Sequence, residues 1–203
     1  DDTARSRLMF DFDFRGKDRI STLARLRGGV VLGSQPARPE QPSSPQAPRY
    51  KRNRVFAPTE GYSTSFRQEV PFYSATPFIA NTYNLRTYKS FTKDAIGSFK
   101  LYAAAINGFS DKDVRVQRRL KLSSSKLRGF ESGKVGPVDG TDFIGGNYAA
   151  VTNFEVNLPN LLPEATKVDV GLFLDVGNLW EVDYDSLLDD SNKIRSSTGI
   201  NAE

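Results

Sequence analysis

No histidine and no cysteine occurs among the 203 residues of this sequence. Without cysteine there is no disulfide framework and no thiolate metal site, and the redox compartment stays open. Without histidine, Ser-His and Cys-His nucleophilic chemistry and His-ligated zinc are excluded within the chain. No catalytic residue, cofactor or metal-ligand set is expected. No apolar run approaches the ~20 residues that a membrane-spanning helix needs. That leaves another way across a bilayer open, because a barrel strand needs only about 10 alternating residues. No segment of about ten residues carries a helical period either. No secretory leader opens the chain, and Asp1-Asp2 is expected to begin mid-protein.

What is present is ordinary in bulk and ordered in detail. Hydrophobic residues are 38% and charged residues 26%, but Phe and Tyr, at 14 and 8, run high. The net charge of +4 is spread along the chain. Its default reading is a solvated surface, with phosphate-bearing partners such as lipid headgroups as the alternative and nucleic acid not expected. Apolar residues recur at every second position in many segments. Leu8, Phe10, Phe12 and Phe14 alternate with Asp11, Asp13 and Arg15. The same period-two pattern runs through 23–33, 62–70, 78–90, 95–108, 148–158 and 167–181, and a further strand begins at 196. Residues 49–56 look like a poorer strand. Val114, Val116, Leu120 and Leu122 also alternate with polar residues, which fits a short strand or a packed extended segment. Pro36, Pro39, Pro42, Pro45 and Pro48 keep 34–48 out of a sheet interior and make it an exposed loop, with a proline-recognition ligand as the weaker alternative.

The connections mostly alternate in length: short at 16–22, 57–61 and 92–94, long at 34–48, 109–146 and 182–195. Short turns at one end of a sheet and long loops at the other are the habit of outer-membrane barrels. Period two alone does not separate such a barrel from a soluble sandwich. Strand length does more, because several runs reach about 10 to 14 residues against about 5–6 in an ordinary soluble strand. The expected fold is all-β: an antiparallel transmembrane β-barrel, partial, of about eight strands with the start of a ninth.

The longest connection holds Lys126-Leu127-Arg128-Gly129-Phe130-Glu131 and then six glycines' worth of turn chemistry through Asn147, counting Gly129, Gly133, Gly136, Gly140, Gly145 and Gly146. By composition this is a glycine-rich surface loop. By alternation, Glu155 and Asp175 fall on the polar sides of two neighbouring strands. Read from the pattern alone, they and Arg128 are ordinary solvated charges, where a pair is worth ~0–1 kcal/mol.

Leu127 to Phe130, the Gly145-Gly146-Asn147 strand opening, the Asp175 to Trp180 stretch and the Pro58-Thr59-Glu60-Gly61 turn together resemble the bacterial surface antigen family of outer-membrane protein assembly factors. The likeness covers about 49 to 203; residues 1–48 fit by alternation only. It implies a fragment of the C-terminal barrel, about eight to nine strands of a sixteen-stranded wall, with 109–146 as an extracellular loop and the polypeptide-binding POTRA domains absent from 1–203. It implies that Arg128 pairs with Glu155 and Asp175 in the lumen, that Gly129 permits a sharp turn and that Phe130 packs on the wall. Function by resemblance is the folding and insertion of β-barrel proteins in the bacterial outer membrane. The partners so implied are unfolded outer-membrane β-barrel proteins, assembly-complex lipoproteins and outer-membrane lipid. The alternatives are a two-partner-secretion translocator and a passive porin; an enzyme is disfavoured by the missing histidine.

Overall fold

The computed structural model describes the backbone of residues 6–16, 23–31, 60–72, 77–92, 94–109, 112–159, 161–162, 168–183 and 193–202, with side chains from Glu60 onward except at 71 and 72. Ten strands occur in it: β1 Ser6–Gly16, β2 Leu23–Val31, β3 Gly61–Phe72, β4 Phe78–Thr92, β5 Ala95–Gly108, β6 Val138–Asp139, β7 Asp142–Phe143, β8 Tyr148–Leu158, β9 Val170–Trp180 and β10 Arg195–Ala202. Eight form one antiparallel sheet in the order β10-β9-β8-β5-β4-β3-β1-β2. The only helical piece among the described residues is a 3-10 turn, Val116–Arg118. The all-β expectation holds, and so do the long strands: β4 has 15 residues and β5 has 14, against about 5–6 for an ordinary strand. The predicted strand at 49–56, the proline-rich loop and the Pro58-Thr59 part of the turn lie outside the described residues, as do the side chains of Leu8, Phe10 and Phe12.

From β3 to β10 each long strand pairs with the next in sequence, as an up-and-down wall requires. The β1–β2 hairpin departs from that order, joining the wall through β1, with β2 at the edge. The register places Leu8 opposite Val70 and Phe12 opposite Phe66, so apolar positions keep their parity across the junction. The sheet is open among the described residues, with β2 and β10 as its edges.

Register converts alternation into two faces. Phe99, Phe154, Leu174 and Thr198 lie side by side across β5, β8, β9 and β10, one step from Leu101, Thr152, Val176 and Ser196 on the same face. Its large apolar side chains are uncovered: Phe154 is 48% exposed, Leu172 50%, Leu174 44% and Ile200 71%. The opposite face carries Lys100, Tyr102, Ala104, Ala149, Val151, Asn153, Glu155, Asp175 and Leu179. That face is covered by the long connection between β5 and β8.

The connection is not a strand where 114–122 alternates. Val114 and Leu122 are buried and Val116 is exposed, and the 3-10 turn at 116–118 interrupts the extended path. The ladder contact of 114–122 is the isolated bridge from Leu120 to Gly146. The apolar phase is thus buried only at its two ends, Val114 and Leu122, while Arg119 from the polar phase is buried between them. Leu122, Leu127 and Val135 of the loop pack on Ala104, Ala149, Val151 and Leu179 of the wall, with Tyr102, Leu120 and Phe130 around them. Ala104 stands opposite Ala149, so the wall is thin where the loop presses on it. The main buried core of the described residues thus lies between loop and sheet, on the inner face.

Candidate functional site

The tip of the loop is built from short-range turns. The Lys126 and Leu127 N–H groups donate to Ser123 O, and the Gly133 N–H donates to Leu122 O at 2.8 Å, which closes the tip into a compact lobe. Leu127 points into the core and is 1% exposed. The next residue therefore projects sideways along the sheet, and Gly129, with φ +82°, turns the chain away behind it. A Cβ at 129 would meet the Ser197 Cβ at 3.4 Å, an ordinary contact, so it is the dihedral that favours glycine here.

Arg128 meets Asp175 through three hydrogen bonds. Its Nε donates to Oδ2 at 2.8 Å, its Nη2 to Oδ1 at 2.8 Å, and its backbone N–H to Oδ2 at 3.1 Å. This is the planar fork that a guanidinium can make and an ammonium cannot. Asp175 is fully buried, so the pair is removed from water on the carboxylate side. The carboxylate bonds, Asp175 foremost, push the Arg128 pKa up despite some burial. The guanidinium also lies on the Phe173 ring, 3.8 Å from its centroid. Glu155 stands second: its Oε2 is 3.5 Å from Arg128 Nη1 and 3.4 Å from Lys100 Nζ. Its Oε1 accepts from Asn201 Nδ2 at 2.8 Å. Arg128, Glu155 and Asp175, singled out from the sequence, are thus one cluster that joins the loop to β8 and β9, with β5 and β10 at its margins.

Gly129 and Phe130 flank that cluster, Phe130 packing beside the core as Leu127 enters it. Lys126 is held more than its place in the sequence suggested. Its Nζ sits 3.5 Å from the Tyr102 ring centroid, and its backbone O accepts from Asn153 Nδ2 at 2.8 Å. Burial, and then the charge of Arg86, pull the Lys126 pKa below the ordinary lysine value. Phe173, Asn153, Tyr102, Lys100 and Asn201 were not anticipated as parts of the site. Parity held a signal for two of them: Asn153 shares the polar side with Glu155, and Phe173 is an aromatic out of phase beside Asp175. Among the described residues no cluster of His, Cys, Asp or Glu could hold a metal ion.

A sheet greasy outside, polar inside and plugged by one of its own loops has the build of an outer-membrane-type β-barrel wall. The Omp85 superfamily domain matches residues 43–202, and the chain belongs to that superfamily. The outer membrane protein assembly factor BamA of Neorickettsia risticii (strain Illinois) is 30% identical over 154 residues, 73% of this chain and 21% of that protein. The chain therefore spans about a fifth of that relative's length. Among solved structures, BamA from Haemophilus ducreyi lacking POTRA domains 1-3 is similar with a TM-score of 0.63 at 22% identity, over 74% of this chain and 34% of that one. That likeness concerns the fold.

Proposed function

We propose that the chain is a piece of the C-terminal barrel domain of an outer-membrane protein assembly factor, which helps β-barrel proteins fold into the bacterial outer membrane. The observation that carries this reading is the three-bond clasp of Arg128 on Asp175 at the tip of the Leu127–Phe130 motif, within a wall whose relative is named for that activity. The barrel sits in the outer membrane with its apolar face in lipid. Residues 109–146 are an extracellular loop that enters the lumen, and the clasp holds the tip there. Its partners are unfolded outer-membrane β-barrel proteins, the lipoproteins of the assembly complex and the surrounding lipid. The work is mechanical: the loop braces the wall from inside, and the protein is not an enzyme. No observation favours a secretion translocator or a porin over this reading.

The test uses the full-length protein. Arg128→Ala is expected to weaken heat-resistant gel migration of the barrel and to fail to support growth when the wild-type copy is depleted. Arg128→Lys keeps the charge and loses the fork, so it recovers only part of both. Arg128→Glu is expected to be worse than alanine, and adding Asp175→Arg to it to recover some function, because the two side chains touch. Wild-type migration and growth of Arg128→Ala would overturn the proposal.

A further inference from the structure

The clasp at the tip leaves the Gly145-Gly146-Asn147 motif without a role. At the far end of the loop, Asn147 is almost fully buried at the start of β8, and its N–H donates to Trp180 O at 3.1 Å and Glu181 O at 2.9 Å. Its side chain donates from Nδ2 to Asp183 Oδ1. The other oxygen of that carboxylate, Oδ2, accepts the Val114 N–H at 2.7 Å. Val114 belongs to the leg by which the chain leaves β5, and it is buried against Phe78 and Ile106. One carboxylate therefore bonds both legs of the loop, the outgoing one at 114 and the returning one at 147. Asp183 reaches them because Glu181, with φ 68°, turns the chain after β9. A left-handed backbone is uncommon for a residue with a Cβ and is kept where the surroundings fix it.

We propose that Asp183 is a positioning residue for the loop: a second fastening, at the rim, that fixes where the loop enters the lumen. Asp175 and Asp183 are supplied by the same strand and its extension. From Asp175 to the end of β9 at Trp180 the strand runs about 17 Å, so one fastening lies deep and the other at the mouth. The deep one sets the tip and the rim one sets the legs. The proposal uses the barrel reading above only for the placing of the loop.

Limited trypsin digestion of the full-length protein in lipid vesicles tests it. Arg115 and Arg118 are exposed on the outgoing leg, and Lys126 and Lys134 report on the tip and the stretch after it. A backbone held by hydrogen bonds is cut only when it opens locally. Asp183→Ala is expected to speed cleavage after Arg115 and Arg118 about tenfold, the loss of one or two such bonds, with little change after Lys126 and Lys134. Arg128→Ala is expected to give the reverse selectivity. Asp183→Asn alone keeps one acceptor and falls between. Asn147→Asp combined with Asp183→Asn exchanges donor and acceptor across the contact and is expected to bring cleavage back toward wild type. Unchanged cleavage at 115 and 118 in Asp183→Ala would overturn the proposal, as would equal acceleration at all four sites. So would a paired exchange no better than Asp183→Ala, or loss of the heat-resistant barrel in both Asp183→Ala and Asp183→Asn, since a rim fastening leaves the wall intact. Normal growth of Arg128→Ala beside selective cleavage in Asp183→Ala would remove the proposed function and leave the rim fastening standing.

Discussion

Leu174 and Asp175 are consecutive residues of β9 with opposite surroundings: the leucine is 44% exposed and the aspartate is fully buried. In a water-soluble protein those exposures would be reversed. The two faces differ in kind as well as in solvent. On the outer face Phe154 meets the Phe99 ring at 4.9 Å between centroids, while Leu172, Leu174 and Ile200 stay exposed, and the requirement there is that no charge be present. On the inner face Asp175 receives three bonds from one residue at fixed distances, and Phe173 offers that residue a ring. The outer face therefore constrains class and the inner face constrains identity. Substitutions that respect hydrophobicity but change shape pass on one side and fail on the other.

The largest expected effect follows from the inner face. Asp175→Ala leaves the Arg128 guanidinium, 27% exposed and still 3.5 Å from Glu155, without its fork, at about 1.5–3 kcal/mol for each charged hydrogen bond lost. Guanidinium unfolding of the barrel in lipid vesicles measures it. Next comes Leu174→Lys, which places a charge in the apolar band at a cost of about 2–4 kcal/mol near its midplane. Leu174→Ile, on the same reasoning, is expected to cost under about 1.5 kcal/mol. A loss for Leu174→Ile equal to that for Asp175→Ala would break the contrast between the faces, because the outer one would then demand shape.

The wall was legible because period two survives translation into pleat: the runs at 62–70, 78–90, 95–108 and 148–158 became β3, β4, β5 and β8, and β4 and β5 begin and end within about two residues of the patterned segments. The outward face was legible for the same reason at Phe154, Leu172 and Leu174. At 114–122 the same signal allowed either a short strand or a packed extended segment, and the structure shows a packed segment, with Val114 and Leu122 buried and a 3-10 turn between them. The order of β1 and β2 was hidden, because parity constrains which face a residue takes and not which strand it joins. Arg128, Glu155 and Asp175 were singled out by motif resemblance and parity. Their neighbours Phe173, Asn153 and Tyr102 escaped, because what selects them is the depth to which the loop descends, and no local pattern encodes that.

The smallest effect separates two ways of holding the tip. Lys126 offers its side chain to Tyr102 and its backbone O to Asn153. Lys126→Ala removes the ammonium from the ring, worth about 0.5–1 kcal/mol at a partly exposed site, and leaves the backbone bond in place. Lys126→Met keeps most of the stem against the ring and is expected to restore about half of that through packing. Asn153→Ala does the opposite: the cation stays on its ring while the Lys126 carbonyl loses its donor, at about 1–3 kcal/mol for a half-buried acceptor. The order expected in vesicle unfolding is thus Asn153→Ala below Lys126→Ala below Lys126→Met in stability. An inverted order, with Lys126→Ala the more damaging, would mean that the tip is held by its charges alone. The inner face would then resemble a set of exchangeable ion pairs more than a surface that reads one residue at one position.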